Sequence, residues 1–258
     1  MEYWDGQKMG IWATQLQDAD VVVNLAGEGI ADRLWNGQRK LLIQSSRIGP
    51  TRALVSAIAR SMNRPKILVS ASAVGFYGPV AEREVTEIYP RGEGFLPDLC
   101  AEWEAEAKKA QALGVRVVLL RTGIVIEKDG GALGKLMMPF WFFMGGPLGS
   151  GRQWFPWVHR DDVVGAIFYA IQNETLSGPV NIAAPGSLTM AEFCRLLGKA
   201  MRRPSWARVP AFVLRSLLGE MSEILLTGQK AVPRKLLEAG YTFQYPHAEE
   251  ALASLFRK

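Results

Sequence analysis

The chain has 258 residues, of which 48% are apolar and 21% charged, with 26 glycines and 14 prolines. This composition excludes a disordered chain, a collagen-like repeat and a small disulfide-stapled scaffold, and the length supports a core that needs no staples. The net charge of +5 is interspersed, with no Lys/Arg run longer than two, so it describes a solvated mixed surface with mild attraction to anions and excludes a dedicated nucleic-acid face.

In chain order, residues 20–27 (DVVVNLAG) form an apolar run closed by Gly27, which predicts a strand buried on both faces. Residues 35–60 read as a long helix, and Pro50 inside it predicts either a kink or two helices. Residues 66–71 (KILVSA) are a second buried strand. The Ala/Glu/Lys-rich segment 98–113 reads as a helix with Gly114 as its stop. A third strand and its continuation fall at 115–126, a helix at 161–172 and a fourth strand at 178–183. Helices close the chain at 190–201, 211–218 and 233–239. There are no internal repeats. Cys100 and Cys194 are the only cysteines and fit a reducing, cytoplasmic setting. His159 and His247 lack ligand-spaced neighbours, so no metal site is expected. The most apolar stretch, residues 136–148, is broken by Pro139, Gly145, Gly146 and Pro147. No membrane segment, and no membrane partner, is expected.

Apolar strands alternating with helices predict an α/β fold with a parallel sheet, whose ligands sit beyond the carboxyl ends of the strands. Three such ends are small or polar: Asn24-Leu25-Ala26-Gly27, Ser70-Ala71-Ser72 and Arg121-Thr122-Gly123. They leave room for a flat ligand and offer hydroxyls and backbone N–H groups, although Ser and Gly serve equally as turns and caps. A second polar cluster joins Gly149, Ser150 and Gly151 to Arg152, Gln153, Trp154 and His159. Arg152, Gln153 and His159 could bind an anionic or hydroxylated substrate, and His159 with Asp162 could instead cap the following helix. The aromatic set Trp141, Phe142, Phe143, Trp154, Phe155 and Trp157 reads as core rather than as a stacking platform.

These segments resemble a known family. Residues 18–27 (DADVVVNLAG), 45–51 (SSRIGPT), 68–78 (LVSASAVGFYG), 103–107 (WEAEA) and 115–131 (VRVVLLRTGIVIEKDGG) carry the resemblance. So do 139–162, 178–185 (GPVNIAAP), 218–220 (LGE) and 225–240 (LLTGQKAVPRKLLEAG). Together they make the chain similar to the atypical extended short-chain dehydrogenase/reductases, in the NAD-dependent epimerase-like subfamily with an extra C-terminal domain.

The resemblance implies a Rossmann-type doubly wound parallel sheet with a smaller C-terminal substrate lobe. Residues 1–130 and 160–175 would form the nucleotide-binding core, and 131–159 and 176–258 the lobe. It implies a nicotinamide cofactor, NADP in preference to NAD. Asn24, Leu25, Ala26 and Gly27 would lie along its adenine-ribose side, Arg47 would reach its polar groups, Ala71 would line it, and Arg121, Thr122 and Gly123 would lie near the nicotinamide. Ser72 matches the family's substrate-orienting Ser. The family's Tyr-x-x-x-Lys acid/base pair is absent, with Cys100 at the Tyr position and Glu104 at the Lys position. A thiol beside a carboxylate is a poor base. Two functions follow. One is an NAD(P)-dependent oxidoreductase or epimerase acting on a small oxygenated or sugar-like metabolite. The other is a non-catalytic nucleotide- or metabolite-binding regulatory module. A homodimer is compatible with either. The family pattern also opens with a glycine-rich strand–turn–helix that binds pyrophosphate, and nothing like it precedes Asp20. The sheet is therefore expected to be N-terminally incomplete, with truncation and impaired cofactor binding as the corollary.

Overall fold

The computed structural model describes Trp4, residues 10–128 and residues 130–256. Of the stretch that precedes Asp20, residues 1–3 and 5–9 lie outside the described residues. A short 3-10 segment, Ile11–Asp18, leads into β1 (Val21–Asn24), α1 (Gly37–Arg60), β2 (Ile67–Ala73), β3 (Val80–Val85) and α2 (Phe95–Lys108). Next come β4 (Arg116–Thr122), β5 (Ile124–Ile126), α3 (Gly131–Trp141), β6 (Trp154–Phe155), β7 (Trp157–His159), α4 (Arg160–Gln172) and β8 (Gly178–Ile182). The chain closes with β9 (Leu188–Thr189), α5 (Met190–Met201), α6 (Ala211–Leu218), α7 (Glu223–Leu226), β10 (Gln229–Ala231), α8 (Arg234–Glu238) and α9 (Ala248–Phe256).

The central sheet is parallel, with strand order β1-β2-β4-β8. Side chains alternate across a strand, so β2 and β4 serve both faces. Leu68, Val117 and Leu119 pack with Leu54, Val55 and Ile58 of α1 and Ala107 beside them. Ile67, Val69, Val118 and Leu120 pack on the other face with Ala166 and Ala170 of α4, together with Leu236 and Phe243. This is the double cover that a parallel sheet requires. The C-terminal lobe has its own core, in which Phe140, Phe155, Trp157, Phe193 and Leu197 meet Ala251 and Leu252 of α9.

Four expectations change. Residues 20–27 are not a strand buried on both faces. β1 covers only four residues at the edge of the described sheet, and Val23 is exposed. Of the two alternatives at Pro50, separate helices are ruled out: α1 is one helix through it and begins at an Asn36 cap whose side chain accepts from the Arg39 N–H at 2.8 Å. The lobe boundary at 176 does not follow the sheet, because β8 pairs with β4 and residues of α8 pack against the sheet face. The aromatic set divides: Phe155 and Trp157 are core, whereas Trp141, Phe142 and Phe143 are exposed where α3 ends.

Phe193 is fully buried and its ring lies 4.3 Å from that of Phe155. Phe193→Ala removes the centre of the lobe's core, and chemical denaturation is expected to show a loss of about 3–5 kcal/mol.

Candidate functional site

The register leaves a step at the carboxyl end of the sheet, the position where such sheets take their ligands. Asn24, the last residue of β1, stands opposite Ser70, while β2 runs on to Ala73 with only β4 beside it. Ala26, Ala71, Ala73, Thr122 and Gly123 are half-buried around this step, and Leu25 and Gly27 are exposed. The small residues leave flat, accessible backbone there. Two ion pairs bring other segments to the rim. Lys135 of α3 reaches Asp32 at 3.0 Å, and Lys40 of α1 reaches Glu220.

Directly beneath the step is a buried charged network. Arg121 stands in register with Ser72 on the neighbouring strand. Cys100 and Glu104 lie one turn apart on the buried face of α2. Arg121 and Glu104 are 3% and 1% exposed and form a bidentate pair, Nε to Oε1 at 2.7 Å and Nη2 to Oε2 at 2.9 Å. Burial works against the Arg121 charge, yet hydrogen bonds to Glu104 and Tyr77 leave its pKa above the usual value. An ionised carboxylate only accepts, so the Ser72 hydroxyl donates its one proton to Glu104 Oε1 at 2.8 Å. The network continues through the Tyr77 hydroxyl, which accepts from Arg121 Nη1 at 3.0 Å and donates to Asn181 Oδ1 at 2.6 Å. Burial pushes the Tyr77 phenol up to about 12. Glu87 then accepts from the backbone N–H groups of Asn181 and Lys235.

The remaining predicted residues take varied places. Cys100 is buried beside Gly75, and desolvation, reinforced by Glu104, raises its thiol to about 12. Asn24 is buried: its amide donates to Thr51 Oγ1 at 2.9 Å and its carbonyl accepts from the Ala26 N–H. Arg47 folds over the Gly27 turn, donating to the Glu28 and Ile43 carbonyls at 2.9 Å each, with its guanidinium 5.3 Å from the Trp103 ring. In the lobe, Gln153 donates to the Leu148 and Leu225 carbonyls, and Trp154 donates to the Ala81 carbonyl. Arg152 is exposed. His159 is buried as the cap of α4, its Nδ1 accepting from the Asp161 N–H at 3.1 Å, and burial lowers its pKa. The Asp162 carboxylate accepts from the Gln244 and Tyr245 N–H groups and ties α4 to the chain before α9.

The structure thus brings Ser72, Cys100 and Arg121 together and places Arg152, Gln153, Trp154 and His159 elsewhere. Sequence reasoning treated Glu104 only as a departure, and did not single out Asn181 or Glu87. One signal was available: Arg121 sits inside an apolar strand, and a buried charge demands a partner. No group of His, Cys, Asp and Glu among the described residues could hold a metal ion.

Glu104→Gln leaves Arg121 buried without a counter-charge, and thermal and chemical unfolding are expected to register about 3–5 kcal/mol of destabilisation. A thiol that titrates near 12 stays protonated at pH 8. Iodoacetamide should therefore leave Cys100 unmodified in the native chain and alkylate it only after unfolding, as peptide mass mapping would show.

Comparison with known proteins agrees with this architecture. Residues 9–183 match the model of the NAD dependent epimerase/dehydratase family, and residues 209–255 match a domain of unknown function, DUF1731. An Arabidopsis thaliana protein named "Epimerase family protein SDR39U1 homolog, chloroplastic" is 43% identical over 248 residues, covering 95% of this chain and 71% of that protein. Epimerase family protein SH2119 of Staphylococcus haemolyticus is 42% identical over 245 residues, covering 95% and 82%. The crystal structure of human epimerase family protein SDR39U1 (isoform 2) with NADPH superposes with a TM-score of 0.87 at 34% identity, covering 94% of this chain and 85% of that one. The nucleoside-diphosphate sugar epimerase from Corynebacterium glutamicum superposes with a TM-score of 0.78 at 31% identity, covering 99% and 50%. The chain belongs to the NAD dependent epimerase/dehydratase family.

Proposed function

We propose that the chain is an NADPH-dependent oxidoreductase or epimerase acting on a small oxygenated, sugar-like metabolite at the carboxyl ends of β1, β2 and β4. The observation that carries this reading is the step in the sheet: β2 outruns β1 by three residues, and the surrounding strand ends are small and half-exposed. NADPH is favoured because the human relative was solved with it. The donor set fits the nucleoside portions of a dinucleotide. Asn24 sets the turn at Ala26, and Ala71, Ala73, Thr122 and Gly123 offer surface without bulky side chains. The described residues contain no glycine-rich cradle for the pyrophosphate. When bound, the nicotinamide supplies or accepts a hydride. The chain's own part is to shape the site at the strand ends, keep Ser72 fixed and exclude water with the lobe.

A second reading, a nucleotide-binding module without turnover, is favoured by the state of the polar groups. The Ser72 hydroxyl hydrogen is engaged in its hydrogen bond to Glu104, and the Cys100 thiol keeps its proton. Neither offers the proton that a general acid delivers near neutral pH.

The test is a titration with NADPH and NADH by nicotinamide fluorescence, followed by a carbonyl panel watched for loss of the reduced cofactor. Tighter binding of NADPH is expected, with turnover that falls about tenfold or more in Ser72→Ala. Binding without turnover and insensitive to Ser72→Ala would establish the module. Failure to bind either dinucleotide sinks both readings.

A further inference from the structure

Helix α3 ends in an unusual way. The Phe143 N–H bonds the Phe140 carbonyl at 3.0 Å and the Met144 N–H bonds the Pro139 carbonyl at 2.9 Å, the paired pattern of a helix closed through a left-handed residue. That residue is Phe143, with φ of 60°. Glycine is the ordinary occupant of such a position, because a side chain there crowds the backbone. Gly145 and Gly146 follow at once, and both are demanded by packing: a Cβ would fall 2.2 Å from the Phe140 ring and 2.5 Å from the Ala207 carbonyl oxygen. Phe143 itself is 53% exposed. Strain kept for an exposed aromatic points outward, to a binding role.

Its neighbours extend the same surface. Trp141, Phe142 (74% exposed) and Met144 share the turn, and Met138 stands one helical turn before Phe142. Trp206, 64% exposed, donates its Nε1–H to the Phe143 carbonyl at 3.0 Å, and the Arg203 guanidinium lies 4.4 Å over the Phe143 ring. The patch is apolar, with the Arg203 guanidinium against it. No Asp or Glu occurs in residues 130–160 or 193–219, and the second stretch carries Arg195, Lys199, Arg202, Arg203, Arg208 and Arg215. Lys199 and Lys135 meet Glu249 and Asp32, but among the described residues no carboxylate pairs with Arg202, Arg203, Arg208 or Arg215.

We propose that this tip docks the protein peripherally on an anionic lipid surface, with Trp141, Phe142, Phe143, Met144 and Trp206 entering the headgroup boundary and the arginines meeting lipid phosphates. Aromatic side chains with an arginine rim are the chemistry that partitions there. A second copy would bring the same positive charge against it, and the end of a helix offers an acidic peptide no strand edge to pair with. No spanning helix is required. The expectation of no membrane partner rested on the lack of a spanning run, whereas this surface is assembled from segments about sixty residues apart.

The experiment is co-sedimentation of the full chain with vesicles of phosphatidylcholine alone and with phosphatidylglycerol added. Salt-sensitive binding to the anionic vesicles is expected. Phe143→Gly relieves the left-handed backbone, so its thermal midpoint should hold or rise while vesicle binding weakens about tenfold. The pair Arg202→Glu with Arg203→Glu should abolish binding with the circular dichroism unchanged. Absence of vesicle binding, equal binding to neutral vesicles, or binding indifferent to Phe143→Gly overturns the proposal. A lipid-free dimer that Phe143→Gly dissolves, seen by light scattering, assigns the tip to a second copy and also overturns it.

Discussion

The buried ion pair between Arg121 and Glu104 is the constraint around which the site is organised. A guanidinium at the carboxyl end of the central strand cannot stay ionised in an apolar interior without a partner, and Glu104 is the carboxylate that reaches it. A buried pair of this kind contributes little net stability relative to a well-packed apolar substitute, so its consequence is geometric. It fixes the rotation of α2 against the sheet, which turns Cys100 inward beside Gly75. It engages the Ser72 hydroxyl as a hydrogen-bond donor. Through Tyr77, Asn181 and Glu87 it reaches the backbone of Lys235, so the carboxyl end of the sheet and the segment after β10 are held by one set of hydrogen bonds.

This arrangement alters what the position of Ser72 means. A serine at the end of β2 looks like a donor toward a substrate oxygen. With its hydrogen committed to an acceptor-only carboxylate, Ser72 presents lone pairs instead. The lobe polar groups also turn inward. Gln153 braces two loops, and His159 caps α4. Chemistry at the strand ends therefore depends on what the ligand and cofactor bring, within a frame the protein keeps rigid.

Much of the fold was legible in the sequence. The apolar runs 66–71 and 115–126 became β2, β4 and β5, because alternating side chains of these strands fill both cores. Helix α2 runs on into a 3-10 turn over Lys109–Leu113, which Gly114 stops with φ of 83°. The strand ends named as ligand-facing do meet at one edge of the sheet. What misled was local composition. The 20–27 run is apolar enough for a central strand, but burial depends on neighbours, and β1 has one on a single side among the described residues. The aromatic string 141–143 is apolar enough for a core, but the left-handed turn at Phe143 throws it outward.

The sequence by itself determined the alternation of strands and helices, the small residues at the strand ends, the departure from the Tyr-x-x-x-Lys pair and the family to which these belong. All of these are carried by residue type and spacing along a contiguous stretch. Only the tertiary structure decided that Glu104 serves Arg121 and Ser72, that Asn181 and Tyr77 complete their network, and that Phe143, Arg203 and Trp206 share one surface. Those partners lie from 17 to 104 residues apart along the chain. Hydrogen bonds and charge pairing act over a few ångströms in space, so the packing of α2 on the sheet and of the 202–206 loop on α3 decides them.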